Sequence, residues 1–164
     1  MRSFSIIGAG KVGISLGLAL ANHGFQLKYI SDCDLKAASR ARRIIKQGKA
    51  TGDNCRAAGA AGITFICVPD GLIAKVAGEL SALDLRGKYV FQTSGAVSSE
   101  VLQPLSRRGA SVASLHPVQT FADTPPDPDI FQGIFFGLEG DQEAVKLGEF
   151  LAKKLQAGVI LISP

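Results

Sequence analysis

An apolar run, Phe4-Ser5-Ile6-Ile7, leads directly into Gly8-Ala9-Gly10-Lys11-Val12-Gly13, and a helical pattern follows over Val12–Asn22. The glycines have the spacing G-x-G-x-x-G, which is informative only between a strand and a helix. Because both flanks are present, the stretch predicts a strand, a tight turn and a helix. A strand–turn–helix that binds no ligand is the alternative interpretation.

Each glycine has a distinct expected role. Gly8 permits the tight turn, Gly10 lets the backbone approach a pyrophosphate, and Gly13 lets the helix pack close to the sheet. The N-terminus of a helix adds unpaired N–H groups and the positive end of the helix dipole, and both favour phosphate. The residues expected to bind the phosphates of a dinucleotide are Gly8, Ala9, Gly10, Lys11, Val12 and Gly13.

Ser31-Asp32-Cys33-Asp34 follows the second predicted strand, and Asp32 lies 19 residues after Gly13. A carboxylate there can accept both hydrogen bonds of an adenosine ribose and repel a 2′-phosphate, which favours NAD over NADP. Ser31 and Asp32 are thus candidate cofactor-binding residues. Asp32 could instead cap the next helix, although Asp34 competes for that role. The same helix carries arginines that could pair with a 2′-phosphate: Arg40, Arg42 and Arg43.

Short apolar runs alternate with longer helical patterns, which predicts an α/β domain. Several runs are continuously apolar, as expected when helices cover both faces of a doubly wound, mostly parallel sheet, and we expect residues 1–164 to form one such domain. The predicted strands are Phe4–Ile7, Gln26–Ile30, Ile63–Val68, Tyr89–Gln92, Ser111–Leu115, Ile134–Leu138 and Val159–Ile162. The predicted helices are Val12–Asn22, Leu35–Gln47, Leu72–Leu80, Ser99–Arg107 and Gln142–Gln156. For the last helix, Asp141 is the expected N-cap and Gly158 the expected stop.

Two segments have no regular pattern. Gly48–Gly62 is rich in alanine and glycine and has no assignment. Residues 117–133 hold four of the seven prolines and three aspartates, which predicts a long irregular loop. Loops of this length are usually functional or mobile. The segment is either the rim of an active site or a solvent-exposed connector.

Small or polar residues follow three more of the predicted strands. Val68-Pro69-Asp70 closes the most apolar strand, and Pro69 cannot donate a sheet hydrogen bond. Thr93-Ser94-Gly95-Ala96 and Leu115-His116-Pro117 follow two others. Because ligands bind at the carboxyl edge of a parallel sheet, these ends predict one crevice. Each of them could also be simple turn chemistry. The further candidates for cofactor binding are Val68, Pro69, Asp70, Ser94 and Gly95.

Two residues at these strand ends, His116 and Ser94, are the candidate catalytic residues. Histidine exchanges protons readily near neutral pH, so His116 could orient a substrate or donate a proton to it. A structural histidine fits the pattern equally well. The other histidine, His23, lies at the end of the first predicted helix, where histidine is a common C-terminal residue.

The composition excludes several classes of protein. Hydrophobic residues make up 46% and charged residues 20% of the 164 residues, so the chain is not disordered. No run approaches the 18 or so apolar residues of a membrane-spanning helix, and no signal peptide is indicated. The net charge of +4 is small, and no aromatic residues alternate with the basic cluster, so we expect no nucleic-acid partner. That cluster comprises Lys36, Arg40, Arg42, Arg43, Lys46 and Lys49.

The cysteines indicate neither a disulfide framework nor a metal site. Cys33, Cys55 and Cys67 are odd in number and share no C-x-x-C spacing. Cys67 lies in an apolar run and is expected to be a small buried hydrophobic residue. Free thiols of this kind fit a reducing cytoplasm best.

Four segments together resemble a known family. They are Gly8–Gly13, Val68-Pro69-Asp70, Thr93-Ser94-Gly95-Ala96 and Ser114-Leu115-His116-Pro117-Val118-Gln119-Thr120-Phe121. They resemble the Rossmann-like N-terminal domain of proteins that carry a C-terminal DUF2520 domain. This group is related to pyrroline-5-carboxylate reductase, prephenate dehydrogenase and F420-dependent NADP oxidoreductase. The resemblance covers essentially the whole chain.

The resemblance implies an NAD(P)-binding half-protein. Its partner would be a helical C-terminal domain that is missing from this chain and forms a homodimer in the full-length protein. The nicotinamide would lie near Val68, Pro69, Asp70, Ser94 and Gly95, and hydride would pass to a small imine or carbonyl substrate. In two respects the implication is weaker: Asp32 stands where relatives often have an arginine for NADP, and relatives complete their active sites with the second domain.

Two other functions are compatible with the sequence. A non-catalytic NAD(P)-binding sensor or regulatory module is suggested by the lack of an obvious acid–base pair near the crevice. A methyltransferase can also use a glycine-rich turn, but Val68-Pro69-Asp70 and the proline-rich loop do not favour one.

Overall fold

The computed structural model describes residues 3–121 and 126–162, in which strands and helices alternate. The strands are β1 (Ser3–Ile7), β2 (Gln26–Ser31), β3 (Lys49–Thr51), β4 (Ile63–Ile66), β5 (Tyr89–Gln92), β6 (Ser111–Pro117), β7 (Phe135–Gly140) and β8 (Gly158–Leu161). The helices are α1 (Lys11–Asn22), α2 (Leu35–Ile45), α3 (Asn54–Gly59), α4 (Asp70–Leu80), α5 (Gln103–Ser106) and α6 (Gln142–Lys154), with a 3-10 helix, Ser99–Leu102, directly before α5.

Within these residues the strands form one sheet in the order β3-β2-β1-β4-β5-β6-β7-β8. Every neighbouring pair is parallel except β6 and β7. The predicted class, an α/β domain with a doubly wound and mostly parallel sheet, is therefore confirmed. The strand order reverses at β1, which lies between β2 and β4. Ligands of such sheets bind at the carboxyl ends of the strands beside this reversal.

Helices cover both faces of the sheet because the central strands are apolar on both sides. In β4, Ile63, Thr64, Phe65 and Ile66 are all buried. Successive residues of a strand point to opposite faces. Phe65 accordingly packs with α1, α2 and α6 in one core, and Ile66 packs with α3, α4 and α5 in the other. The two cores hold the carboxyl ends of β1 and β4 at fixed positions.

The unassigned segment Gly48–Gly62 contains β3 and α3. The side chain of Asp53 caps α3 by accepting a hydrogen bond from the Arg56 N–H at 2.9 Å. Strand β3 has three residues and buries only Thr51. A strand this short leaves no detectable alternation in the sequence, which is why it was missed.

Several predicted boundaries are wrong. Strand β4 ends at Ile66 instead of Val68, because Pro69 already occupies the N-cap position of α4 and the chain turns there. The predicted helix Ser99–Arg107 is a 3-10 helix followed by α5, since a proline in the first turn of α5 has no N–H to continue the earlier helix.

At α6 the predicted cap and stop act differently from expectation. Asp141 occupies the N-cap position of α6 as predicted, but its side chain makes no cap hydrogen bond and accepts one from the Val112 N–H at 2.8 Å instead. Gly158 begins β8 and does not stop α6. The helix ends at Lys154, and Gln156 takes the left-handed conformation (φ 57°).

The proline-rich segment 117–133 is partly anchored to the core. Strand β6 continues through Pro117, and residues 122–125 lie outside the described residues. Phe131 is 1% exposed and stacks on Phe136 with ring centroids 5.4 Å apart. The second half of the segment is therefore packed on the domain by an aromatic side chain. In the described part of the chain, no helix is long and apolar enough to cross a lipid bilayer.

Candidate functional site

The glycine-rich turn between β1 and α1 has the geometry expected from its glycines. Gly8 has a φ of +106°, and a Cβ there would overlap the carbonyl of Cys67. A Cβ on Gly13 would overlap the carbonyl oxygen of Gly8. At Gly10, by contrast, a Cβ would meet no heavy atom within 4 Å. Gly8 and Gly13 are thus required by packing, whereas Gly10 keeps a space open.

The open space lies at the N-terminus of α1. Asp34 and Asp53 cap α2 and α3 with their side chains, whereas Gly10 occupies the N-cap of α1 and offers none. The first turn of a helix has amides without intrahelical acceptors, and in α1 this turn contains no acidic residue. The sequence-predicted residues Lys11, Val12 and Gly13 form this turn. Such a helix end attracts an anion.

Asp32 braces the glycine-rich turn. Its Oδ2 accepts a hydrogen bond from the Ala9 N–H at 2.8 Å, and its Oδ1 accepts one from the Asp34 N–H at 2.9 Å. The cap of α2 is Asp34, whose side chain accepts from the Lys36 N–H, so the helix-cap interpretation of Asp32 was wrong. The Ala9 N–H therefore already donates its hydrogen bond to a carboxylate of the protein itself.

A crevice of about 390 Å³ opens at the carboxyl ends of β1 and β4, where the strand order reverses. Five sequence-predicted residues line it: Gly8, Gly10, Asp32, Val68 and Pro69. Residues that the sequence analysis missed line it too, among them Cys33, Asn54, Leu72, Lys75 and Glu79. Asp70 is the first residue of α4 and lies beside the crevice, not in its lining.

Ser31 lies beneath the crevice and does not line it. It is fully buried, and its hydroxyl donates to Oδ1 of Asn54 at 2.8 Å. The Asn54 amide in turn donates to Oε2 of Glu79 at 2.8 Å. Ser31 thus orients an asparagine on the crevice wall. Asn54 follows the short strand β3, so no sequence signal marked it.

Ser94, Gly95 and His116 form a second cluster at the ends of β5 and β6, outside the lining of the crevice. Nδ1 of His116 lies 3.1 Å from the Thr93 carbonyl oxygen. A carbonyl can only accept, so Nδ1 carries the proton. A Cβ on Gly95 would come within 2.5 Å of Nε2 of His116, so a larger residue at this position would have to displace the imidazole. The Ser94 hydroxyl accepts from the Ala96 N–H at 3.0 Å.

Cys67 connects the crevice with this second cluster. Its backbone lies against Gly8, and its thiol is hydrogen-bonded to the Thr93 side chain. Although part of the residue borders the crevice, burial raises the pKa of the Cys67 thiol to about 12, and the hydrogen bond to Thr93 acts in the opposite direction. The thiol is thus a neutral group at physiological pH. Cys33 and Cys55 are also free thiols.

A second cavity, of about 490 Å³, lies between the 3-10 helix and β7. Three carboxylates border it, Glu100, Glu139 and Asp141, and its described lining contains no cation. An anionic coenzyme would be repelled there, because like charges at close range cost several kcal/mol. The crevice at the glycine-rich turn is therefore the better candidate for a dinucleotide.

Comparison with known proteins agrees with this geometry. A model of the Rossmann-like domain family matches residues 2–117. No curated protein sequence matches the chain. Prephenate dehydrogenase from Aquifex aeolicus, solved with hydroxyphenyl propionate and NAD+, is similar with a TM-score of 0.85 and 19% identity, over 100% of this chain and 60% of that one.

Two other solved structures are similar over nearly the whole chain. Pyrroline-5-carboxylate reductase from Coxiella burnetii has a TM-score of 0.75 and 18% identity, over 98% of this chain and 58% of that one. Reductive aminase from Aspergillus terreus, solved with NADPH and ethyl-5-oxohexanoate, has a TM-score of 0.75 and 16% identity, over 99% of this chain and 55% of that one. At these identities the likeness shows a common fold. The chain spans about 55–60% of the length of these proteins.

Proposed function

The chain belongs to the Rossmann-like domain family, and from this premise we propose that it is the coenzyme-binding domain of an NAD(P)-dependent oxidoreductase. One observation carries the proposal. The uncapped N-terminus of α1 borders a crevice of about 390 Å³ at the reversal of strand order, and Gly10 leaves the approach to that helix end open. This is the place where sheets of this kind receive a dinucleotide.

The coenzymes bound in similar structures support the coenzyme class. The dehydrogenase from Aquifex aeolicus was solved with NAD+ and the aminase from Aspergillus terreus with NADPH. Both coenzymes contain a pyrophosphate, an adenosine and a nicotinamide. The shared fold makes the same class of ligand the best proposal for the crevice of this chain.

We infer that NADH is preferred to NADPH. Asp32 places a carboxylate in the lining of the crevice, where it would repel a 2′-phosphate and retain lone pairs for ribose hydroxyls. The arginines of α2 lie further along the helix. Arg40 is five residues beyond the first residue of α2, about 7.5 Å along its axis, so it is a weaker partner for a phosphate beside Asp32.

The residues present fit a dinucleotide, and each would have a separate task. The first turn of α1 would hold the pyrophosphate, Asp32 the ribose, and Val68 and Pro69 the wall beside it. When bound, the coenzyme supplies or accepts the hydride. Because Nδ1 of His116 donates to Thr93, Nε2 is the atom of that ring that would hold or release a proton for a small imine or carbonyl substrate. Ser94 lies beside it and would orient the same group.

The proposal extends to the complete protein. Solved relatives are longer than this chain, and we propose that a helical C-terminal domain completes the active site and forms a homodimer in the cytoplasm. A second function, a non-catalytic NAD(P)-binding module, is favoured by one observation. Gly95 lies against Nε2 of His116, which is the nitrogen that a substrate would have to reach. Hydride transfer by the full-length protein would reject that second function.

Calorimetric titration with NADH and NADPH tests the binding site. Wild-type protein should bind NADH, and Gly10→Asp should weaken it about 100-fold or more, because the new carboxylate would face the pyrophosphate. Gly78→Asp is the matched control, since Gly78 also has open space around it but lies outside the crevice lining. Equal affinities of all three proteins for NADH, or no measurable binding by any of them, would overturn the proposal.

A further inference from the structure

Polar side chains are concentrated beneath one partly exposed loop, Thr93–Ser98. Nine polar or charged residues are buried in the described part of the chain. Four of them directly adjoin this loop or its exit: Gln92, Ser99, Ser114 and Glu139. Burying a polar side chain costs free energy unless its hydrogen bonds are made, so such a concentration needs a reason.

Gln92 has no exposed surface, and both ends of its amide bind the loop. Its Oε1 accepts a hydrogen bond from the Ser94 N–H at 2.5 Å, and its Nε2 donates to the Val97 carbonyl oxygen at 2.6 Å. One planar amide thus joins a donor and an acceptor three residues apart. In the sheet, Gln92 lies between Ile66 and Ser114. An apolar residue would fill that position without a desolvation cost.

Two further contacts hold the same segment. The Ser114 hydroxyl donates to the Ser94 carbonyl oxygen at 3.3 Å. At the exit of the loop, the carboxylate of Glu139 accepts from the N–H and the hydroxyl of Ser99, at 2.5 and 2.7 Å. Hydrogen bonds to a charged acceptor are about twice as strong as neutral ones. The loop is therefore exposed to solvent on its outer side and fixed from below.

The fixed backbone in turn determines the state of His116. The Thr93 carbonyl accepts from Nδ1, and Gly95 lies against Nε2. If the loop moved, Nδ1 would lose its acceptor, and the imidazole would lose the contact that defines which nitrogen carries the proton. The loop thus sets both the tautomer and the position of the ring.

We propose that Gln92 is a positioning residue for His116. Its amide fixes the backbone between Thr93 and Val97, and this backbone selects the tautomer with the proton on Nδ1. The catalytic meaning of this arrangement rests on the proposed function, in which Nε2 serves the substrate. The structural part of the proposal concerns the protein alone and can be measured without a coenzyme.

The imidazole nitrogens report the result directly. In ¹⁵N NMR spectra of wild-type protein with its imidazoles in the neutral form, His116 should show one tautomer, with the proton on Nδ1. Gln92→Met keeps a side chain of similar length but removes both hydrogen bonds, so His116 should lose this single tautomer and the Ser94 amide should exchange with solvent about tenfold faster. His23, whose Nδ1 lies 2.9 Å from the Ala19 carbonyl oxygen, is an internal reference and should not change.

Two more variants complete the experiment. Ser5→Ala removes a buried hydroxyl that accepts from the Tyr29 N–H in β2, far from the loop, and should leave His116 unchanged. Ser114→Ala removes one contact to the loop and should give a smaller change than Gln92→Met. It also provides the measurement if Gln92→Met does not fold. An unchanged His116 tautomer in the Gln92→Met protein would overturn the proposal. If Gln92→Met does not fold, an unchanged His116 tautomer in Ser114→Ala would overturn it.

Titration of the same proteins with NADH separates this inference from the proposed function. If wild-type protein binds no NADH, the proposed function fails, while the tautomer of His116 still answers the question about Gln92. If wild-type protein binds NADH and His116 is indifferent to Gln92, the coenzyme site stands and the positioning role is refuted.

Discussion

The glycine-rich turn, Gly8–Gly13, and the loop Thr93–Ser98 follow β1 and β5, which lie on either side of β4, but are held in opposite ways. The turn has its shape because side chains are missing: a Cβ on Gly8 or Gly13 would overlap backbone atoms. The loop has its shape because side chains are present below it, above all the buried amide of Gln92. Close packing of backbone on backbone therefore defines one region, and satisfied polar groups define the other.

The difference has a consequence for ligand binding. In the turn, Gly10 leaves space beside the first amides of α1. In the loop, the amides of Ser94 and Ala96 are already bound to oxygens of the protein. A phosphate is thus expected at the turn, whereas the loop is suited to hold other residues in place.

The largest effect is expected from adding one methyl group to the turn. Gly13→Ala would force a Cβ against the Gly8 carbonyl oxygen and should lower the free energy of unfolding by about 2–3 kcal/mol. Gly10→Ala is the control, since its Cβ would enter open space, and it should cost about 1 kcal/mol or less. Urea denaturation measures both. Equal stability of the two variants would mean that the turn is not held by backbone packing.

A smaller effect is expected at Asp32, the side chain that does brace the turn. Asp32→Ala removes the acceptor of the Ala9 and Asp34 amides and should cost about 1–2 kcal/mol. Because the turn itself loosens, affinity for both NADH and NADPH should fall. If Asp32 contacted only the ribose, Asp32→Ala would instead be expected to reduce the preference for NADH over NADPH without loosening the turn. Asp32→Asn retains one acceptor oxygen and should lie between wild type and alanine in both measurements.

The smallest effect concerns two thiols: Cys33, in the crevice lining, and Cys67, at the junction of the turn and the loop. Burial raises the pKa of Cys67 from the ordinary 9.0 to about 12, so at pH 8 an alkylating reagent should modify the exposed Cys33 long before Cys67. Mass spectrometry of tryptic peptides measures both rates. NADH should protect Cys33, which lines the crevice. Rapid modification of Cys67 would show that the turn and the loop separate easily.

The same raised pKa predicts the direction of the alkaline stability change. A pKa that is higher in the folded than in the unfolded state favours the folded protein fully below pH 9, because the thiol is protonated in both states. Between pH 9 and about 12 the unfolded chain loses its proton first, so the free energy of unfolding falls. Cys67→Ala should remove this component of the fall, and urea denaturation across that range measures it.

The parts of the site that depend on local chain chemistry were predicted well. The spacing of Gly8, Gly10 and Gly13 between strand and helix indicated the turn, and their geometry confirms the strand–turn–helix. Asp32 was expected at the end of β2 and lies in the crevice. In contrast, β3 and the wall residue Asn54 escaped prediction because a three-residue strand carries too little pattern.

Local pattern also misled in places where a distant residue competes for the same group. Asp141 is the N-cap residue of α6 as predicted, but its carboxylate accepts from the Val112 amide of a neighbouring strand and not from an amide of the helix. Asp32 looked like a possible helix cap, but Asp34 caps α2 and the Oδ2 of Asp32 accepts from the N–H of Ala9, 23 residues earlier. Gln92 carried no signal at all, since a glutamine at the end of an apolar strand resembles any polar residue at a turn.

The longer strands and helices and the glycine-rich turn follow from the sequence, because backbone sterics and hydrophobic periodicity act between residues close in the chain. Only the tertiary structure decided which strand ends meet. It also decided that the Ala9 N–H donates to Asp32, and that the amide of Gln92 lies under the loop beside His116. These contacts join residues from different strands. Their hydrogen bonds depend on the packing of the whole sheet, and no short stretch of sequence encodes that.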